Sequence, residues 1–153
     1  METLSKVDDI ICISRKMNIP KTKVKATIDA YIKYIKEKVD LGETVGFLRI
    51  CDFKARGYTG SRETLGYICH EIGDRIGQNG DFVKSILLFY EDMIIVDLKK
   101  YRGHTVTGLL KLKMISGVGG KVILDASRSS VVGENSDVFL SVRKSFKRKV
   151  ESR

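Results

Sequence analysis

The sequence predicts an α+β fold in which a pair of amphipathic helices followed by a strand occurs twice. Two observations predict it. Apolar residues recur at helical spacing in two separate helix pairs, and the same order of elements begins again after residue 61. The chain has 153 residues, 42% of them hydrophobic and 31% charged. A chain of this size and composition buries a core without help from disulfides or structural metals.

The first copy begins with a helix in the segment KVDDIICISRKM, for which Ser5 is a candidate N-cap. Asn18, Ile19 and Pro20 end this helix, because proline disfavours helical geometry in the preceding residue and suits the first turn of the next helix. The second helix runs from Pro20 to Gly42. It carries one apolar stripe, made of Val24, Ile28, Tyr31, Ile35 and Val39. The run ETVGFLRICDF then predicts a single strand that ends near Lys54.

The second copy follows a Gly/Ser/Thr-rich stretch at residues 55–61. Ser61 is the candidate N-cap of a helix in ETLGYICHEIGDRI, and QNGD makes the break before the long helix FVKSILLFYEDMIIVDLKK. Arg102 and Gly103 end that helix, and HTVTGLLKLKMI is the next predicted strand. Val24, Tyr31 and Ile35 match Val83, Tyr90 and Ile94 at a constant offset. GETV (42–45) then matches GHTV (103–106) with two residues inserted.

The second copy continues beyond the point at which the first one stops. GVGG (117–120) is a turn, KVILDAS a strand, RSSVVGENS a polar connection and DVFLSV a third strand. The end, RKSFKRKVESR, is a basic helix with Val142, Phe146 and Val150 on one face. The sequence therefore predicts two units, residues 1–58 and residues 62–153, the second with a three-stranded antiparallel sheet and a C-terminal helix.

The composition restricts the classes of partner and of chemistry. The net charge is +9 and the pI is near 9.5, which favours polyanionic partners. Cys12, Cys51 and Cys69 are odd in number and lie in apolar runs, so we expect reduced, buried thiols and neither a disulfide framework nor a zinc knuckle. The N-terminus has no secretory signal, and the apolar stretch 86–98 is short and carries three acidic residues. We therefore expect an intracellular chain without a membrane role.

Several strings resemble the HU and integration host factor family of bacterial DNA-bending proteins. Residues 19–26 (IPKTKVKA) are similar to the start of that family's second helix, and GETV is similar to the G-D/E-x-V before its first strand. Residues 138–152 (VFLSVRKSFKRKVES) resemble the ending of integration host factor, a strand and a basic helix that closes on R-V-E-N. The resemblance implies tandem units of this family, with helical hairpins followed by a small antiparallel sheet and a C-terminal helix.

The chain departs from the family where the family grips DNA. The family's G-F-G is replaced by Arg49-Ile50-Cys51 in the first copy and by Leu110-Lys111-Leu112 in the second. The family's long basic arms carry an Arg-Asn-Pro tip whose proline wedges between base pairs. We place the corresponding connection at about residues 126–136, which contain Arg128 and no proline. Residues 1–61 carry +4, residues 62–142 carry zero and residues 143–153 carry +5, so the region expected to hold DNA is neutral.

Two basic groups are candidate contacts for nucleic acid or for an acidic partner, although a solvated face and a solubilising tail are the ordinary explanations. They comprise Lys21, Lys23, Lys25, Arg143, Lys144, Lys147, Arg148 and Lys149. We expect that reversing Arg143, Lys147 and Arg148 to Glu abolishes partner binding and leaves the fold intact. The long second helix is either the core of one domain or the candidate interface helix of an intertwined dimer, formed within or between chains. Its apolar positions are Val83, Leu87, Tyr90, Ile94 and Leu98.

The sequence supports no enzymatic reading. His70 and His104 are isolated, Cys69 and His70 point about 100° apart on a helix, and GVGG lacks the spacing of a phosphate-binding loop. We predict no catalytic, cofactor-binding or metal-binding residues, no cofactor and no small-molecule substrate.

Two functions remain. The first is an HU-like protein that binds and bends double-stranded DNA in the nucleoid of the cytoplasm. The second is an architectural subunit that keeps the interlocking scaffold, has no DNA-binding arms and binds protein partners in a homo- or hetero-oligomer. Proteins similar to integration host factor occur among the virion proteins of tailed phages, the crAss-like group in particular, where such folds resemble parts of neck or tail rings. We favour this second function, which places the chain in a virion after synthesis in the host cytoplasm.

Overall fold

The computed structural model of the chain describes residues 6–55, 62–129 and 138–151. Within these ranges it has α-helices and two antiparallel three-stranded sheets, so the predicted α+β class is confirmed. Ser5, residues 56–61 and most of the predicted connection 128–136 lie outside the described residues. The elements are α1 (Lys6–Met17), α2 (Lys21–Asp40), β1 (Val45–Phe47), β2 (Cys51–Ala55), α3 (Leu65–Ile76), α4 (Gly80–Tyr101), β3 (Gly103–Val106), β4 (Leu110–Ser116), β5 (Val122–Arg128), β6 (Val138–Val142) and α5 (Lys144–Glu151).

The helix boundaries follow local signals. Pro20 precedes α2 in an extended conformation, as expected for a residue whose ring fixes φ before the first helical turn. The expectation that Ser61 caps α3 is wrong, because α3 begins at Leu65 and its N-cap is Thr64, whose side chain accepts a hydrogen bond from the Tyr67 N–H. Helix α3 ends at Gly77, whose φ of +71° suits glycine.

Each run that the sequence predicts as one strand is instead a hairpin. ETVGFLRICDF forms β1 and β2 around a three-residue loop at residues 48–50, and HTVTGLLKLKMI forms β3 and β4 around residues 107–109. The loops close through backbone bonds from the N–H of Ile50 to Phe47 O at 3.1 Å and from the N–H of Leu109 to Val106 O at 3.0 Å. The single-strand predictions are therefore wrong, since each run reverses direction in the middle.

The sheets combine the strands in an order that the sequence does not predict. One sheet is ordered β1-β2-β6 and the other β3-β4-β5. Strand β6 pairs with β2 from Cys51↔Val142 to Ala55↔Val138, so the prediction that it is the third strand of the second sheet is wrong. This pairing places Leu140 opposite the fully buried Phe53. The chain therefore completes its first sheet with its last strand.

The described structure repeats with a period of 59 residues. Helices α1 and α3 both start and end 59 residues apart, at Lys6 and Leu65 and at Met17 and Ile76. The period continues through the hairpin loops, where Ile50 corresponds to Leu109. The third strands lie outside this period, because the first sheet takes its third strand from the end of the chain. They are nevertheless attached in the same way: the N–H of Arg143 bonds Ile50 O at 2.9 Å, and that of Ser129 bonds Leu109 O at 2.8 Å. Helix α4 ends two residues later than this period requires, at Tyr101 against Asp40, but the strands return to the offset of 59. The predicted pairing of GETV with GHTV is therefore wrong for the strands, and Val45 corresponds to His104.

The two helix pairs pack against each other within the single chain. Helix α2 packs on α3, α4 contacts both α1 and α2, and α5 packs on β5 and α4. The buried side chains of both halves belong to one core. All five positions of the candidate interface helix lie in it, at 2% exposure or less: Val83, Leu87, Tyr90, Ile94 and Leu98. Among the described residues, no helix is both long enough and apolar enough to cross a membrane.

Candidate functional sites: a buried polar cluster and the sheet surfaces

A cluster of four polar side chains lies inside the core where α1, α4 and β3 meet. Helix α1 contributes Asp9, α4 contributes Tyr90 and Asp97, and β3 contributes His104. Asp9 and His104 are each 1% exposed and Asp97 is 5% exposed. His104 is central: its Nδ1 lies 2.7 Å from Asp97 Oδ2 and its Nε2 lies 3.3 Å from the Tyr90 hydroxyl. The cluster joins the first helix pair to the second.

Asp9 is the unsatisfied member of this cluster. Its Oδ2 lies 3.6 Å from His104 Nε2, which is longer than a hydrogen bond, and neither carboxylate oxygen has a hydrogen-bond partner. Burial raises the pKa of Asp9 to about 7, although the nearby His104 opposes that shift. A buried carboxylate without a partner is costly, because the charged form loses its hydration.

Two of the four positions of this cluster are apolar in the other half of the molecule, where Tyr90 and Asp97 correspond to Tyr31 and Lys38. With the 59-residue period, Asp9 corresponds to Ile68 and His104 to Val45, and each of these two is 1% exposed. The fold therefore accommodates a wholly apolar pair at this junction. The polar cluster is a feature of one half, which favours a role for it beyond packing.

The sequence alone does not reveal this cluster, because its four residues come from distant parts of the chain. Asp9 and Asp97 are ordinary polar residues in helical segments, and His104 has no histidine or cysteine beside it. One ligand atom from each of these three residues lies within 4.8 Å of the others, which is the geometry of a potential cation site. The available signal was that Asp97 falls between apolar residues of α4, three positions after Ile94 and next to Leu98, since an acidic residue on an apolar face needs a buried partner.

A second buried charge joins the halves at the β1–β2 loop. Glu91 of α4 is fully buried and accepts the backbone N–H of Arg49 at 2.8 Å. The guanidinium of Arg49 also forms an ion pair with this carboxylate. The backbone N–H of the preceding residue, Leu48, donates a hydrogen bond to the Tyr31 hydroxyl at 2.6 Å. Leu48 has a φ of +51°, so two buried side chains hold a strained loop in place.

The lysines predicted as contacts on α2 lie on its first two turns. Lys21, Lys23 and Lys25 are all exposed, and the first turn carries no acidic residue. Lys25 forms an exposed ion pair with Asp29 at 2.6 Å, four residues further along the helix. Cations at a helix N-terminus oppose the helix dipole, so this end of α2 is an electropositive surface.

The five basic residues of the C-terminal segment do not form one surface. Lys144, Arg148 and Lys149 are exposed and Lys147 is half-buried. The side chain of Arg143 is only 21% exposed, and its Nη2 lies 3.0 Å from Asp52 Oδ1 on β2. Arg62 reaches the other oxygen of Asp52 at 3.4 Å. Arg143 is thus committed to an ion pair that holds β6 against β2.

The outer faces of the sheets mix charges of both signs with apolar residues. On the second sheet, exposed Lys113 lies opposite exposed Asp125. On the first sheet, Asp52 lies between Gly46 and Ser141 and binds two arginines. A surface that grips phosphates carries an excess of unpaired cations. In the part of the chain that the structure describes, Lys113 faces Asp125, and Arg62 and Arg143 pair with Asp52, so these three cations are not free to bind phosphates.

The β4–β5 hairpin ends in an apolar tip. Ile115 and Ile123 are cross-strand partners, 41% and 40% exposed, and Val118 in the connecting turn is 96% exposed. The turn spans residues 117–121 and closes with a bond from the N–H of Gly117 to Lys121 O at 2.5 Å. We call Ile115, Val118 and Ile123 the hairpin tip. Three clustered exposed aliphatic residues at the end of a short hairpin are a typical contact surface for another protein.

Comparison of the chain with protein-family models, with curated proteins and with solved structures finds no match.

Proposed function

We propose that the chain is a non-enzymatic architectural protein, built as a tandem scaffold similar to integration host factor, and that it serves as a subunit of a neck or tail ring in a phage virion. The observation that carries the proposal is the hairpin tip, where Ile115, Val118 and Ile123 are exposed together. Burying exposed aliphatic side chains against another protein stabilises the complex by about 25 cal/mol per Å² of apolar surface. In a ring, the tip of one copy contacts a different surface of the next copy.

The connectivity of the sheets supports an assembly role over a DNA-bending role. In the family that the sequence resembles, the DNA-binding arm joins the second and third strands of a sheet. In the second sheet those strands are β4 and β5, and residues 117–121 join them in a short turn. The expectation that the corresponding connection lies at about residues 126–136 is therefore wrong, because residues up to Arg128 belong to β5. The turn at residues 117–121 contains three glycines and no proline. A turn of this length neither follows a DNA groove nor supplies a wedge between base pairs.

The pairing of the two halves within one chain also supports this proposal. HU-like proteins use two chains to form one body, whereas here both helix pairs contribute to one core. A subunit that is already complete uses its remaining apolar surface for contacts with other subunits. The mixed charge of the outer sheet faces, with Asp52 and Asp125 among the cations, is compatible with a protein neighbour.

The oligomeric mass tests the proposal directly. We expect light scattering on purified protein to give a mass several times 17.2 kDa. The double variant Ile115→Lys/Ile123→Lys is expected to remain monomeric with an unchanged melting temperature, because both side chains face solvent. Lys113→Gln is the matched control on the same strand and should assemble as the unchanged protein does. An unchanged protein that stays at 17.2 kDa up to millimolar concentration contradicts the ring proposal.

Binding and bending of double-stranded DNA is the second candidate function. The exposed Lys21 and Lys23 on α2 and the exposed Lys144 and Arg148 on α5 favour it. A fluorescence titration with a 30-base-pair duplex at two salt concentrations tests it. Tight binding with a steep salt dependence, lost in Lys21→Glu/Lys23→Glu, would favour DNA binding over assembly. Weak binding that is insensitive to these substitutions would remove this candidate.

A further inference from the structure

We propose that Asp9 and His104 are ligands of a divalent transition metal, with zinc the best match, and that Asp97 orients the imidazole. The site would lie between α1 in the first half and α4 and β3 in the second. It would fasten the two halves of the chain together. This inference is independent of the proposed assembly function, because every residue that it uses is buried inside one chain.

The distance between the two ligand atoms fits a tetrahedral metal. Zinc binds imidazole nitrogen and carboxylate oxygen at about 2.0–2.2 Å, so two such ligands on a tetrahedral ion lie about 3.4 Å apart. His104 Nε2 and Asp9 Oδ2 are 3.6 Å apart. That separation is too long for a direct hydrogen bond and is close to the spacing of two ligand atoms on one ion.

The other side of the imidazole has the partner that metal-binding histidines usually have. Asp97 Oδ2 lies 2.7 Å from His104 Nδ1, so the Nδ1–H donates to the carboxylate. This bond leaves the Nε2 lone pair directed away from Asp97, on the side of Asp9 and the Tyr90 hydroxyl. Carboxylate–histidine–metal arrangements of this kind fix the tautomer and the ring orientation.

Charge and hydrogen bonding point to a cation in the same place. Asp9 and Asp97 are two carboxylates in the core, and His104 is the one basic side chain that the described structure places beside both. One divalent ion would balance both. Asp9 also has two oxygens without a hydrogen-bond partner, although it is 99% buried within the described structure. Natural cores rarely leave such an oxygen unsatisfied, so the missing partner is the strongest indication of a ligand.

The other half of the chain shows that the junction does not need these polar residues for folding. Ile68 and Val45 occupy the corresponding positions and are both buried. Replacing Asp9 by isoleucine and His104 by valine therefore removes both proposed ligands and introduces side chains that the fold already accommodates in its other half. Asp9→Ile/Asp97→Asn/His104→Val should remove the metal and keep the fold. Asp97 is changed as well, because its buried carboxylate would otherwise lose its partner His104.

Metal content and thermal stability test the proposal together. The protein is stripped with a chelator, dialysed against zinc or cobalt, and assayed by mass spectrometry for metal per chain. We expect one zinc per chain and a rise in melting temperature of about 5–10 °C when zinc exceeds its Kd by about 100-fold. Cobalt should give the visible absorption of a tetrahedral N/O site. Asp9→Asn, which removes one ligand charge and keeps the shape, should lose both the bound metal and the thermal shift.

The surface histidine provides the control. His70 is exposed and lies 3.6 Å from Asp74, so it is the alternative place for adventitious zinc. His70→Ala, made together with Cys12→Ser, should bind zinc as the unchanged protein does. The proposal is overturned if the chelated protein takes up less than a stoichiometric amount of zinc and shows no thermal shift. It is also overturned if Asp9→Ile/Asp97→Asn/His104→Val folds and still binds one zinc per chain.

Discussion

The buried carboxylate of Glu91 accepts a hydrogen bond from the backbone N–H of Arg49 at 2.8 Å, although the two residues belong to different halves of the repeat. The same carboxylate binds the Arg49 guanidinium, and that ion pair raises the pKa of Arg49. Because the Arg49 side chain is half-exposed, the backbone bond is the less screened of the two interactions. Helix α4 of the second half therefore fixes the hairpin loop of the first.

Replacing Glu91 by alanine should lower the free energy of unfolding by about 2–3 kcal/mol. The change leaves the N–H of Arg49 without its acceptor inside the protein and removes the charged partner of the guanidinium, and each loss destabilises the folded state. Glu91→Gln retains an acceptor and should cost about half as much. Urea unfolding followed by circular dichroism measures the effect. The exposed neighbour gives the control, and a loss in Asp92→Asn as large as in Glu91→Ala would refute the argument.

Arg143→Glu should destabilise the protein, which revises the expectation that reversing the C-terminal charges leaves the fold intact. The new carboxylate would face Asp52 at the place where Nη2 now lies 3.0 Å from Asp52 Oδ1. We expect a loss of about 2–3 kcal/mol, since a buried pair becomes a repulsive one. Arg148→Glu lies on the exposed face of α5 and should stay within about 0.5 kcal/mol of the unchanged protein.

Chemical denaturation of both variants separates these two positions. If Arg143→Glu and Arg148→Glu unfold at the same denaturant concentration, the ion pair with Asp52 contributes nothing to the pairing of β6 with β2. If Arg143→Glu is the less stable variant, binding assays on the basic tail should use Arg148 and Lys144, which are exposed on α5.

The helices could be predicted from the sequence because their signals are local. Residues such as Val24, Ile28 and Tyr31 repeat at helical spacing, and Pro20 and Gly77 mark the ends of helices. The hairpin at residues 48–50 could not, because its loop has no glycine, proline or asparagine. It is held by Tyr31 and Glu91, which are distant in sequence. A turn stabilised by tertiary contacts leaves no local signature.

For a related reason, the sequence alone does not predict which sheet contains β6, nor does it predict the buried polar cluster. The sequence of β6 has the pattern of a strand, but this pattern does not say which strand it pairs with. In the fold it pairs with β2, because the β1–β2 hairpin has no other third strand. Asp9 and His104 are 95 residues apart, and the register that brings them together depends on the 59-residue repeat. The repeat itself could be predicted from Val24, Tyr31 and Ile35, which match residues of the second helix pair. The predicted alignment of the strands differs from the observed one by two residues.

The three cysteines should differ sharply in reactivity. Burial raises the pKa of Cys51 to about 12 and that of Cys69 to about 11, so neither thiol forms appreciable thiolate near pH 8. Cys12 is partly exposed on α1. A thiol-reactive chromophore at pH 8 should label one thiol in the folded protein and three in denaturant. Cys12→Ser should show no rapid labelling. Rapid labelling of two or more thiols under native conditions would contradict the burial of Cys51 and Cys69.

Phe146 should be the residue that attaches α5 to the rest of the protein. Its side chain is 1% exposed, Val150 on the next turn is 5% exposed, and Glu151 accepts the Leu124 N–H at 2.8 Å. Phe146→Ala should cost about 3–4 kcal/mol, because it removes a large buried side chain and leaves a cavity. The adjacent Ser145 is exposed, so Ser145→Ala should change the unfolding free energy little. Hydrogen exchange distinguishes detachment of α5 from unfolding of the whole protein. If α5 alone detaches, amide exchange should rise in residues 144–151, whereas the amides of β6 should stay protected by their pairing with β2. Unchanged stability in Phe146→Ala would mean that α5 does not contribute to the core.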